Sequence, residues 1–145
     1  VVAGDPPSPE LLAQVIELGL QAQVSFPGLL DDLRPLLAAC DIGFVLSYQE
    51  ALSFACRELM SLGLPVLVTR VGGLPENLID GEQGWIVEVR DAVGMAEVLR
   101  KIANQPNVLN QFGRAARAHA EKWFNLNDFA RQTLAVYQKR DGFER

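Results

Sequence analysis

Cysteine, histidine and clustered basic residues are what this chain has least of. Its two cysteines, Cys40 and Cys56, are neither spaced as CxxC nor numerous enough for a disulfide framework. Both fall in helix-compatible stretches among apolar neighbours, which predicts buried, reduced thiols and a cytosolic setting. The single histidine, His119, has no partner motif and sits among Ala115, Ala116, Ala118 and Ala120, so it reads as a surface or core residue of a helix. No apolar run approaches the roughly 20 residues that span a bilayer. Val1 to Asp5 lack the basic start and long apolar stretch of a secretion signal. The formal net charge of −5 comes without a Lys/Arg cluster, which argues against nucleic acid as a partner. No repeat, linker or low-complexity segment interrupts the chain. It lacks an initiator methionine and opens within a strand-like run, so it is expected to be a piece of a longer protein.

What is present is globular. A hydrophobic content of 49% and a charged content of 21% over 145 residues suit one domain with a full core. Five short apolar runs, Val1–Ala3, Val24–Phe26, Ile42–Leu46, Val66–Val68 and Trp85–Val89, are bounded by turn residues such as Pro27-Gly28 and Gly72-Gly73 and predict strands. Helical patterns lie between them at Pro9–Gly19, Asp31–Cys40, Ser53–Leu62 and Pro75–Ile79. Gly19 suits a C′ position, Asp31 or Asp32 an N-cap, and Pro35 must sit in the first turn or kink its helix. Ala92–Asn104, Val108–Phe124 and Leu126–Arg140 follow as successive amphipathic helices, so the sheet ends near Val89. Strands alternating with helices predict an α/β, Rossmann-like parallel sheet covered on both faces, with a helical tail. The expected organisation is a single domain over 1–145, with a helical segment over 107–145 packed on it.

The most telling stretch runs from Ser47 to Val68. A strand ends at Leu46, Glu50 and Glu58 form an E-x7-E pair, Ser53 offers an N-cap, and Gly63 closes the helix before a second strand. Such βαβ units place ligands at the C-terminal ends of their strands. Eight residues of helix rise would separate the two acids by about 12 Å, more than two carboxylates acting on one glycosidic bond require. That distance suits the two ends of an extended ligand. The free N–H groups of Phe54, Ala55 and Cys56 at the helix start could hold a phosphate. The alternative is an exposed glutamate on a helix face, favoured near the N-terminus by the dipole. Gly72-Gly73, ahead of Pro75, would let backbone approach a ligand closely or make a plain tight turn.

At these residues the chain resembles a known family. Val2 to Asp5, Val24 to Gly28, Ala39 to Ile42, Glu50 to Glu58, Glu58 to Val66, Gly72 to Glu76 and Asp80 to Trp85 occur in the order seen in retaining glycosyltransferases of the GT-B fold, glycosyltransferase family 4. The match is to their C-terminal, donor-binding domain and covers essentially the whole chain. The resemblance implies a hexosyltransferase that moves a sugar from a nucleotide diphosphate sugar to an acceptor hydroxyl in glycan biosynthesis. By the same resemblance Glu58 bonds the ribose hydroxyls and Glu50 lies near the donor sugar. Backbone around Ser53 and Phe54 contacts sugar and diphosphate, and Gly4, Phe26 and Gly28 line the nucleotide side. It implies no cofactor and no metal, with the nucleotide sugar as substrate. The family's N-terminal acceptor domain and the first strand and helix of this domain are absent, so the isolated chain is expected to be inactive. A cytoplasmic location is expected, with any contact at the cytoplasmic face of a membrane left to the absent half.

Departures from the family pattern are Ala51 and Ser53, where relatives often carry glycine, and Arg57, which replaces an aliphatic residue. Arg57 is expected to pair with an acid on its helix or to face the cleft. Arg70 reads as a solvated arginine with a minor claim on phosphate. Trp123-Phe124 should seal the domain, whereas the helix over Leu126–Arg140, which in relatives returns toward the missing half, should leave an exposed apolar patch. Two rival readings remain beside this resemblance: a non-catalytic glycosyltransferase-like nucleotide-binding module or subunit, and a signalling receiver. Asp5 and Asp41 do not form the acidic cluster a receiver needs.

Overall fold

The computed structural model describes residues 1–140, and the last five residues of the 107–145 segment lie outside them. The described chain forms two compact units, Val1–Leu36 and the residues from Leu37 onward. In the first unit, helix α1 (Pro9–Glu17) starts where Ser8 Oγ accepts the Leu11 N–H at 3.2 Å, with Pro9 in the first turn. It stops at Leu18, and Gly19 follows at φ +66°, the left-handed residue expected there. The runs Val1–Ala3 and Val24–Phe26 do not become strands. They share one parallel bridge, Ala3 to Gly28, with bonds Val2 N–H to Ser25 O and Gly4 N–H to Gly28 O. Two short segments with only each other to pair within their unit do not build a ladder. Helix α2 (Arg34–Ala38) is half the expected length, because Pro35 is confined to the first turn and Asp32 turns back to accept the Arg34 N–H.

The second unit is built on a three-stranded parallel sheet in the order β1 (Gly43–Val45), β2 (Val66–Thr69), β3 (Gly84–Val87). Gly43 faces Val66, and Val66 faces Gly84, so β2 is central and all four of its residues are buried. Helix α3 (Phe54–Ser61) makes the crossover between β1 and β2, as the parallel pairing demands. A 3-10 turn (Leu74–Asn77) precedes β3, where an α-helical piece was expected. Helices α4 (Ala92–Asn104), α5 (Asn107–Trp123) and α6 (Leu126–Arg140) complete the described residues, within a residue of the predicted limits.

Met60, Cys56, Val66, Val68 and Leu74 form the centre of the core, with Ala116 and Ala120 of α5 laid against them. Gly113 is what lets α5 approach: a Cβ there would stand 2.3 Å from the Gly63 carbonyl oxygen. Trp85 and Phe112 join β3 to α5, their ring centroids 4.8 Å apart. Cys56 is the buried thiol, and burial pushes it up to about 11. Cys40, by contrast, lies beyond the end of α2 and is half-buried, so only one of the two cysteines is a core residue. Phe124 packs against the core, but Trp123 is 63% exposed, so only half of the expected seal forms. His119 stands at 5.6 Å from the Phe124 ring, and burial and nearby Lys122 hold its imidazole below the ordinary value. Leu126, Phe129, Leu134, Val136 and Tyr137 of α6 are exposed, as anticipated. No helix among the described residues is long and apolar enough to cross a membrane.

Candidate functional site

The segment between β1 and α3 carries Glu50 and the cap residue Ser53, and α3 itself carries Phe54 and Glu58. Glu50 is half-buried, and Ser47 Oγ donates to its Oε2 at 3.3 Å. Thr69, at the end of β2, donates to the Ser47 carbonyl at 2.7 Å and so ties the loop to the sheet. Glu50 lies outside the helix, so the 12 Å helix-rise separation from Glu58 does not apply. Four residues of rise, about 6 Å, separate Phe54 from Glu58. The two are i and i+4 on the solvent face of α3, opposite buried Cys56, Leu59 and Met60.

Ser53 caps the helix as the sequence predicts, its Oγ accepting the Cys56 N–H at 3.3 Å. The cap therefore occupies one of the three N–H groups that could hold a phosphate. The N–H groups of Phe54 and Ala55 have no partner among the described residues, and both residues are exposed. Ser53 itself sits at φ 57°, ψ 98°, a conformation that costs an L-residue about 1–2 kcal/mol. The side chain thus does not prevent the glycine-like backbone; it strains it. Replacing Ser53 by glycine relieves the strain and loses only a few tenths of a kcal/mol of capping. The variant is expected to be more stable by about 1 kcal/mol, read as a rise of roughly 2–4 °C in Tm.

The Gly72-Gly73 pair approaches protein, not solvent. A Cβ on Gly72 would lie 1.6 Å from the Glu50 carbonyl oxygen, and one on Gly73 would lie 2.3 Å from the Ala51 oxygen. Gly73 N–H donates to that Ala51 oxygen at 2.7 Å. The pair seats the turn before Asn77 directly under the Glu50–Ser53 segment. Arg57 pairs with no acid among the described residues: its Nε donates to Asn77 Oδ1 at 2.9 Å, and its guanidinium lies 4.7 Å from the Phe124 ring centroid. Arg70 is held in an exposed ion pair with Glu88 at 2.7 Å.

Gly4, Phe26 and Gly28 belong to the first unit. Gly4 and Gly28 are joined by the 3.0 Å backbone bond, and Phe26 beside them is half-buried. A recess of about 330 Å³ opens at the C-terminal strand ends between Tyr48, Thr69, Glu88 and Arg90. A larger cavity of about 560 Å³ lies at the opposite ends of the strands, beneath Gly63–Pro65 and α5, away from both acids. Asn77 is the site-supporting residue that sequence reasoning missed. An asparagine in a short turn carries no local sign of its reach to Leu52 and Arg57.

Residues 1–105 match the family model described as glycosyl transferases group 1. The chain is 29% identical to the N-acetyl-alpha-D-glucosaminyl L-malate synthase of Bacillus anthracis over 138 residues, 94% of this chain and 36% of that protein. It is 34% identical to the MMP alpha-(1->4)-mannosyltransferase of Mycolicibacterium hassiacum over 136 residues, 92% of this chain and 32% of that one. The chain thus spans about a third of the length of these curated relatives. Among solved structures, Anabaena Alr3699/HepE in complex with UDP and glucose superimposes with a TM-score of 0.88 at 24% identity, covering 94% of this chain and 39% of that chain.

Proposed function

Because this chain belongs to the group 1 glycosyl transferases, we propose that it is the donor-binding half of a retaining enzyme that transfers a hexose from a nucleotide diphosphate sugar to an acceptor hydroxyl. The observation that carries this is the start of α3. Two N–H groups, at Phe54 and Ala55, have no partner among the described residues and stand at the start of the helix whose exposed side carries the Glu58 carboxylate. The diphosphate lies across the N–H groups, where the helix dipole favours negative charge. Glu58 accepts hydrogen bonds from the two ribose hydroxyls. Glu50, steadied by Ser47, stands at the donor sugar.

As the sugar leaves, negative charge builds on the diphosphate, and the free N–H groups of Phe54 and Ala55 stabilise it without a metal ion or cofactor. Binding of UDP by the Anabaena protein, which has the same fold, supports a uridine nucleotide as the first donor to test. The acceptor is held by the half that makes up the rest of the relatives' length. This chain alone is inactive, acts with that half as its partner, and works in the cytoplasm. The non-catalytic reading rested on Ala51 and Ser53, and it weakens because Ser53 still adopts the positive φ.

The reading is tested with the full-length protein, UDP-glucose and related donors, and proton NMR of the product. An α-linked donor should give an α-linked product. A β-linked product would overturn retention, and turnover by the 145-residue chain alone would overturn the division of labour.

A further inference from the structure

Asn77 is wholly buried and every polar atom of its side chain is engaged. Its Nδ2 donates to the carbonyls of Leu52 at 2.8 Å, Gly73 at 3.0 Å and Leu74 at 3.2 Å. Its Oδ1 accepts from Arg57 Nε, and the Arg57 guanidinium rests on Phe124 at the C-terminal end of α5. One side chain therefore spans the turn at 73–74, the residue before Ser53, and a helix from the far end of the unit. Ser53 is one of two non-glycine residues with positive φ among the described residues. Strain of this kind persists only where the surroundings over-determine the conformation. Here the surroundings are the Leu52 carbonyl clamped by Asn77 on one side and the Ala51 carbonyl clamped by Gly73 N–H.

We propose that Asn77, braced by Arg57 against Phe124, is a positioning residue that holds Ser53 in its strained conformation and so aims the free N–H groups of Phe54 and Ala55. The consequence for ligand binding rests on the nucleotide reading of that helix start; the positioning itself does not. When the clamp is released, Ser53 relaxes to negative φ, and the fraction of molecules with a competent helix start falls. Apparent affinity falls by the same factor.

Two readouts on the 145-residue chain separate these claims: hydrogen exchange at the Gly73 amide, which needs no ligand, and calorimetric titration with UDP. Asn77→Ala is the direct variant. Arg57→Met is the milder one, should the first not fold. In the folded variant the Gly73 amide is expected to exchange about tenfold faster, and UDP to bind about tenfold more weakly. Adding Ser53→Gly, which needs no clamp to reach φ 57°, should restore most of both losses. A merely structural role predicts no such rescue. Unchanged exchange in folded Arg57→Met, or loss without rescue by Ser53→Gly, overturns the proposal. Exchange that behaves as expected in a chain that does not bind UDP supports the positioning and sinks only the nucleotide reading.

Discussion

Replacing Gly72 by alanine is expected to destabilise the chain by about 3 kcal/mol and to remove ligand binding in the same step. The Glu50 carbonyl oxygen would stand 1.6 Å from the new methyl carbon and its carbon 2.8 Å away, both backbone atoms that cannot swing aside like a side-chain tip. Gly72 also sits at φ +52°, which adds a conformational penalty of about 1–2 kcal/mol for any residue with a Cβ. The only relief is for the turn and the Glu50–Ser53 segment to separate. Separation breaks the Gly73 to Ala51 bond and draws Leu52 away from Asn77. Calorimetric unfolding should show a Tm lower by roughly 10 °C. Retained stability with retained binding would mean that the seating of the turn under the loop is not as described.

This prediction marks where sequence reading and structure parted. The glycine pair was legible as a place of close backbone approach, but not what it approaches, because the partner lies some 20 residues back and carries no side-chain signal. The parallel sheet, the crossover helix and the Ser53 cap were legible, since each depends on local pattern: buried β-branched runs, a 3.6-residue period, and a hydroxyl just before it. The limits of α4 and α6 were read for the same reason. The first two strands were misread because a strand depends on its neighbours, and Val1–Ala3 and Val24–Phe26 find in their own unit only each other. Arg57 was misassigned because its partners, Asn77 and Phe124, lie 20 and 67 residues away, and nearby acids offered a more obvious choice. Trp123 was expected inside because of its size, yet the helix turns Phe124 to the core and leaves Trp123 63% exposed.

Around the candidate site, the Ser53 cap was readable and the strain beneath it was not. In the sequence, Ala51 and Ser53 stand out only as departures from the glycines common in the family. The structure instead shows a serine forced into a glycine-like conformation, held by contacts that no short motif encodes. Which groups remain free at the helix start then follows from the cap itself: Cys56 is taken by Ser53, while Phe54 and Ala55 are left.

Glu58→Ala carries the second large effect, and it separates function from folding. The Glu58 side chain is exposed and its carboxylate makes no ion pair or hydrogen bond among the described residues, so its loss should change stability by no more than about 0.5 kcal/mol. If its carboxylate accepts the ribose hydroxyls, each such charged hydrogen bond contributes about 1.5–3 kcal/mol. Removing it should weaken nucleotide binding by about 10- to 100-fold or more. The most direct measurement is therefore a calorimetric titration of the chain with UDP, ADP and GDP, before and after Glu58→Ala, with Tm recorded for both. Binding of one nucleotide by the parent chain, lost in a variant of unchanged Tm, is the predicted result. Equal binding by Glu58→Ala and the parent would contradict the account.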